Sequence, residues 1–189
     1  MVSSHDDERI GITFGTKLIL SRFYIFAIII LKKNQWNKFE MERFIEFTKV
    51  DYLQDICIQF HFSIEDPTKL IFFSNDQIFQ ADFMNPYDGK EVIYQMNDAL
   101  ESDPQFGVFS LDQKYCLIAT ADDCIYVDLI KQREIDMDDQ EGISSIKNCS
   151  RDKNYFYIFA NKKNRKLGCY FLRFPIKDPD QPVYHEKDK

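Results

Sequence analysis

The sequence predicts an all-β fold built from repeated units of about 40–47 residues, three of them clear and one weak. Three observations point there. Short apolar runs alternate with turns rich in Ser and Asp, and the pattern recurs at a nearly constant interval. Phe (18) and Tyr (10) are abundant while Gly (6) and Pro (6) are scarce, a bias toward side chains that fit a pleated surface. The 44% apolar and 29% charged content of the 189 residues is that of a globular chain able to bury a core.

Taken in order, residues 1–9 carry Asp6, Asp7 and Glu8 and read as a disordered N-terminal tail, ahead of a β domain over 10–176 and a polar C-terminal tail over 177–189. Residues 18–31 (LILSRFYIFAIIIL) form the most apolar window. Its uncharged part, Phe23–Leu31, is nine residues, against the ~20 a spanning helix needs. Extending it back to Ile10 takes in Lys17 and Arg22, and no small-residue cleavage site follows it. The β-branched run Ile28-Ile29-Ile30 favours a buried strand. Phe39–Phe47 places its aromatic residues only roughly on one helical face and reads better as an outer strand.

The repeat is clearest where two segments align without gaps at an offset of 46. Leu70–Asp76 lies over Cys116–Asp122, and Phe79–Phe83 over Ile125–Leu129. Upstream, Phe62-Ser63-Ile64-Glu65-Asp66 matches Phe109-Ser110-Leu111-Asp112 with one inserted residue, and Cys149–Tyr155 repeats the element at an offset of 40. Each unit reads as strand, Ser-x-Asp turn, strand, polar turn, strand, loop and a polar outer strand. Candidates for the last are Glu91–Met96 and Arg133–Met137, where apolar and charged residues alternate as on a wetted edge. Ser and Asp suit the turns because their side chains bond backbone amides two residues on. The spacing is that of four-stranded propeller blades, not of helical repeats.

The segment FSLDQKYCLIATADDCIYVDL (residues 109–129) resembles a degenerate WD40 repeat. Phe109, Ser110, Asp112, Lys114, Thr120, Asp122 and Asp128 stand at the family's positions, over a resemblance that spans about residues 55–175. Val127 replaces the Trp, the Asp122–Asp128 interval is shortened, and no Gly-His dipeptide precedes any unit. The resemblance implies β-propeller blades. With three clear units and one weak near residues 10–45, a four-bladed ring, an incomplete ring completed by another chain, a piece of a longer propeller and a small open sheet assembly all stay open.

Chemistry is sparse. A net charge of −7 and pI near 5.0 argue against nucleic acid, and the basic cluster Lys162–Lys166 reads as a solvated loop. Five cysteines without a CxxC pair read as reduced thiols of a cytoplasmic protein. Gly11-x-x-x-Gly15-Thr16-Lys17 is one residue short of a phosphate loop and leads into an apolar strand. Asp136–Gly142 lacks the key carboxylates of a calcium loop, and His5, His61 and His185 have no partners at zinc spacing. The expectation is therefore a non-catalytic interaction or scaffolding module, with no cofactor and no metal.

Its partner would be a protein, with a second chain or an oligomer completing the propeller. Partner-binding candidates lie in the loops: Asp122, Asp123, Asp138, Asp139, Lys162, Lys163 and Arg165. Tyr126 and Tyr155 could anchor a partner, although tyrosines in strands more often join a core. The alternative is a membrane-tethered subunit anchored by residues 18–31.

Overall fold

The structure, a computed structural model, describes residues 1–17, 23–46, 56–100, 104–120, 124–137, 143–162, 169–177 and 184–186. All regular elements among them are strands. They form four antiparallel four-stranded sheets, each a simple up-and-down meander, in two compact units, Met1–Gln95 and Met96–Lys189.

The first unit holds β1 (Val2–Ser3), β2 (Arg9–Lys17), β3 (Phe23–Lys33) and β4 (Phe39–Glu46), then β5 (Ile56–Phe62), β6 (Lys69–Ser74), β7 (Gln77–Asp82) and β8 (Glu91–Gln95). The second holds β9 (Phe106–Phe109), β10 (Tyr115–Ala119), β11 (Cys124–Asp128) and β12 (Arg133–Asp136), then β13 (Ile143–Arg151), β14 (Tyr155–Lys162), β15 (Cys169–Pro175) and β16 (Tyr184–Glu186). The apolar window thus contains a strand, with Ile28 and Ile30 fully buried, and Phe39–Glu46 is the outer strand of its sheet. Strands also lie in both segments read above as tails, β1 in residues 1–9 and β16 in residues 177–189. The weak first unit is a full four-stranded sheet.

The offset of 46 is exact in three dimensions. Lys69↔Asp82, Leu70↔Ala81, Ile71↔Gln80, Phe72↔Phe79 and Phe73↔Ile78 in β6–β7 correspond one for one to Tyr115↔Asp128 through Ala119↔Cys124 in β10–β11. These inner strands read as unbroken apolar runs because they are buried on both faces: Leu70 through Phe73, and Cys116 through Ala119.

The Ser-x-Asp turns are built as the side-chain chemistry requires. Ser110 Oγ donates to Asp112 Oδ1 at 2.6 Å and accepts from the Tyr115 amide at 3.1 Å, while Asp112 accepts from the Lys114 amide. The β1–β2 turn repeats this atom for atom: Ser4 Oγ donates to Asp6 at 2.5 Å and accepts from the Arg9 amide at 2.8 Å. Asp7 and Gln113 take the same left-handed conformation, with φ of 56° and 53°. In the second sheet the insertion lengthens the turn, and Asp66 instead accepts from the Thr68 amide and hydroxyl.

One alignment is corrected. Arg151 pairs with Phe156, whereas the offset of 40 would pair Cys149 with it, as Phe109 pairs with Cys116. Ser150 lies in β13, and Asp152 alone caps the tighter turn, accepting from the Asn154 and Tyr155 amides. A slip of two residues keeps every side chain on its face, so the core tolerates it.

In the first unit the two sheets join through Ile28, Ile30 and Ile45 against Phe60, Phe62, Leu70, Phe72 and Phe79. Phe60 lies so close to the backbone of Gly11 that a Cβ there would sit 2.3 Å from Cζ. In the second unit Leu117, Tyr126 and Met137 meet Phe156, Ile158, Leu172 and Phe174. The Tyr126 hydroxyl donates to the Ile176 carbonyl at 2.6 Å, so this tyrosine is a core residue with its polar end satisfied.

Candidate functional site

Most loop residues expected to meet a partner lie outside the described residues: Asp122, Asp123, Asp138, Asp139, Lys163 and Arg165. Lys162 is placed by its backbone as the last residue of β14, opposite Ile143. The described turn carboxylates are engaged with their own backbone. Hydrogen bonds from Ser4 and the Glu8 amide hold Asp6 below the usual carboxylate range, and bonds from Thr68 do the same for Asp66. Burial opposes ionisation of Asp112, but the bonds from Ser110 and the Lys114 amide outweigh it.

Among the described residues, no group of three or more His, Cys, Asp or Glu is placed to hold a metal ion. Cys116, Cys124 and Cys149 are buried thiols, and burial pushes the Cys116 thiol well above its ordinary value, away from the nucleophilic thiolate. Gly11 and Gly15 lie within β2, where no phosphate loop forms. His61 sits edge-on to Phe73 at 5.9 Å in its sheet. A hollow between Leu70, Phe72, Phe83 and Pro86 has room for about one water, far short of the ~300 Å³ of a small-molecule site.

What the described surface does offer is apolar sheet. In the first sheet, register places Ile12, Ile29 and Phe44 in one row and Ile10, Leu31 and Met41 in another, on the face opposite Ile28 and Ile30. Phe14, Met41 and Phe44 are 46%, 66% and 52% exposed. On the fourth sheet, Phe156, Ile158, Leu172 and Phe174 point into the core, so the alternation sends Tyr155, Tyr157, Phe159, Phe171 and Arg173 the other way.

That second face is ordered by its own contacts. The rings of Tyr157 and Phe171 stack at 5.3 Å, and the Arg173 guanidinium lies 4.5 Å over the Tyr155 ring. The Tyr157 hydroxyl donates to Asp152, which holds the carboxyl below its ordinary range and the phenol above its own. Trp36, 70% exposed at the tip of the β3–β4 hairpin, is a further anchor-type residue. The sequence signals for these faces were apolar residues in strands, which look alike whether they face a core or a partner.

Four-stranded meanders of this kind are propeller blades, and solved propellers share the arrangement. TolB from Acinetobacter baumannii matches with a TM-score of 0.55 at 10% identity, over 100% of this chain and 43% of that one. A nidogen/laminin complex gives 0.56 at 10% identity, over 96% and 62%. A candidate 6-phosphogluconolactonase from Bacteroides uniformis gives 0.51 at 11% identity, over 97% and 69%. The chain therefore spans about half of the first two. Such identities show the fold alone, and this chain has a β-propeller-type fold. No protein-family model matches it, and no curated protein does.

Proposed function

We propose that the chain is a non-catalytic protein-interaction module of the cytoplasm, built on degenerate WD40-like blades, whose exposed apolar sheet faces receive a protein partner. The observation that carries this reading is the pair of exposed apolar faces, Phe14, Met41 and Phe44 on the first sheet and Phe159 and Phe171 on the fourth. Contiguous exposed apolar surface of this kind marks interaction sites, and Tyr, Trp and Phe are the residues that anchor them. The WD40-like assignment is supported by the Ser110–Asp112 turn and by Asp128, buried at the end of β11.

A photoreactive amino acid at Met41 or Phe171 tests the reading in extract of cells that make the protein. The expected result is a covalent adduct with another polypeptide at both positions and none from Lys131, an exposed control in the β11–β12 turn. Equal labelling at the control, or no adduct at either face, refutes it.

A further inference from the structure

We propose that the outward face of the fourth sheet receives an acidic segment of a partner protein, one that carries apolar side chains among its carboxylates. The proposal rests on the interaction reading above and names the chemistry of the partner on this one face.

Charge sets this sheet apart. Residues 143–186, from β13 through β16, carry nine Lys and Arg against four Asp and Glu, whereas the remaining residues carry fifteen against twenty-seven. Lys163, Arg165 and Lys166 enter that count by sequence alone. A basic segment in a chain of net charge −7 draws an anionic partner to one place and turns it away from the rest. Three of the nine cations are described at the end of the sheet that bears the β13–β14 turn. The Arg173 guanidinium lies over Tyr155 within the ring layer. The Ile176 amide donates to the Asn154 carbonyl at 2.9 Å, which brings the exposed Lys153 and Lys177 to that same end. Asp152, the described carboxylate there, is engaged by the Tyr157 hydroxyl and by the Asn154 and Tyr155 amides.

The rings decide which kind of anion fits. Phe159 and Phe171 are partly exposed and lie opposite one another on β14 and β15, an apolar contact suited to aliphatic or aromatic side chains. A single-stranded nucleic acid needs open ring faces on which its bases stack. Here Tyr157 and Phe171 stack on each other with their planes 28° apart, and Arg173 covers one face of Tyr155. A peptide with both apolar side chains and carboxylates meets both features. Its apolar groups cover Phe159 and Phe171, and its carboxylates reach Arg173, Lys153 and Lys177.

Selection of random peptides of about twelve residues, displayed on phage, against the immobilised full chain tests this without presuming a sequence. The expected survivors hold Asp and Glu at no less than twice their frequency in the starting library, together with Phe, Trp, Leu or Ile. In fluorescence anisotropy a synthesised survivor is expected to bind at least tenfold more weakly to Phe171→Ser, and at least tenfold more weakly to Lys153→Glu combined with Lys177→Glu, with the circular dichroism spectrum kept. Raising salt from about 50 to about 300 mM is expected to weaken binding to the unaltered chain and to change it little in the charge-reversed variant. Phe159→Ser takes the place of Phe171→Ser should that variant fail to fold.

Neutral or basic survivors, survivors indifferent to the ring substitution or to the charge reversal, or no survivor at all overturn the proposal. An oligouridylate of about twelve nucleotides that binds more tightly than the best peptide, and loses that binding in Phe171→Ser, overturns it in favour of nucleic acid. Where the selection fails but Phe171 still cross-links to another polypeptide in extract, acidic chemistry is removed and the interaction reading stands. A failed selection with no adduct removes both.

Discussion

Gly11→Ala tests whether the first two sheets are held by direct contact between a ring and the backbone. A Cβ at residue 11 would lie 2.3 Å from Phe60 Cζ and 2.5 Å from Cε2, where ordinary carbon contacts begin near ~3.5 Å, so the ring must retreat by roughly 1 Å. Phe60 is buried, with the rings of Phe62 and Phe72 centred 6.1 and 6.2 Å away. Overpacking such a site costs about 1–3 kcal/mol, while replacing glycine within a strand returns about 0.5–1 kcal/mol. The net loss is about 0.5–2 kcal/mol, and each kcal/mol lowers the melting temperature of a unit this size by about 4–8 °C. Phe60→Leu shortens the clashing side chain and alone costs about 1 kcal/mol or more. Combined, the new methyl occupies vacated space, so urea unfolding should show a double variant better than the sum of the singles by about 1 kcal/mol. Costs that add to within about 0.5 kcal/mol, or a stabilising Gly11→Ala, refute the contact as the reason for glycine.

Three further outcomes are expected. Tyr126→Phe removes the 2.6 Å bond to the Ile176 carbonyl and leaves that acceptor buried, lowering urea stability by about 1–2 kcal/mol; an unchanged midpoint counts against the bond. Asp128 is buried and accepts from the Ile130 and Lys131 amides at 3.0 Å each. Asp128→Ala should cost about 1–3 kcal/mol and Asp128→Asn less, since the amide oxygen still accepts; equal losses would show that charge, not turn capping, matters. Asp6, Asp66 and Asp112 have folded pKa values below their unfolded ones. Their contribution is complete above the unfolded value of ~3.9 and is lost as pH falls through the folded values. Stability should therefore fall between about pH 5 and pH 2, less steeply in Ser110→Ala combined with Ser4→Ala; an identical slope in that variant would exclude the turns as its source.

The turns were the most legible part of the chain because their energetics are local. Ser110, Asp112 and the amides they hold lie within five residues of one another, so the pattern survives in sequence order. Yet the same turn at Ser4–Arg9 went unread, since Asp6, Asp7 and Glu8 there also fit a disordered acidic start. The β13–β14 hairpin was misaligned by two residues because the Asp of its turn matches while Ser150 does not cap.

The candidate site divides along a similar line. Loop acids and lysines were chosen because exposure is legible in charge, and most of them lie outside the described residues. Ile12, Phe44, Tyr157 and Phe171 carry no such mark. Tyr126 and Tyr155 show why: both are strand tyrosines, yet one is fully buried and hydrogen-bonded in the core, while the other lies beneath Arg173 on an outward face.

The sequence by itself determined the inner strands, the interval of 46 residues between them and the Ser110–Asp112 turn, because alternation and side-chain-to-amide bonds act over a few residues. Tertiary structure alone decided which face of each apolar strand is covered. That depends on which sheet arrives from dozens of residues away: Phe60 comes to lie on Gly11 and buries one side of the first sheet, while Phe14 and Phe44 remain in water on the other.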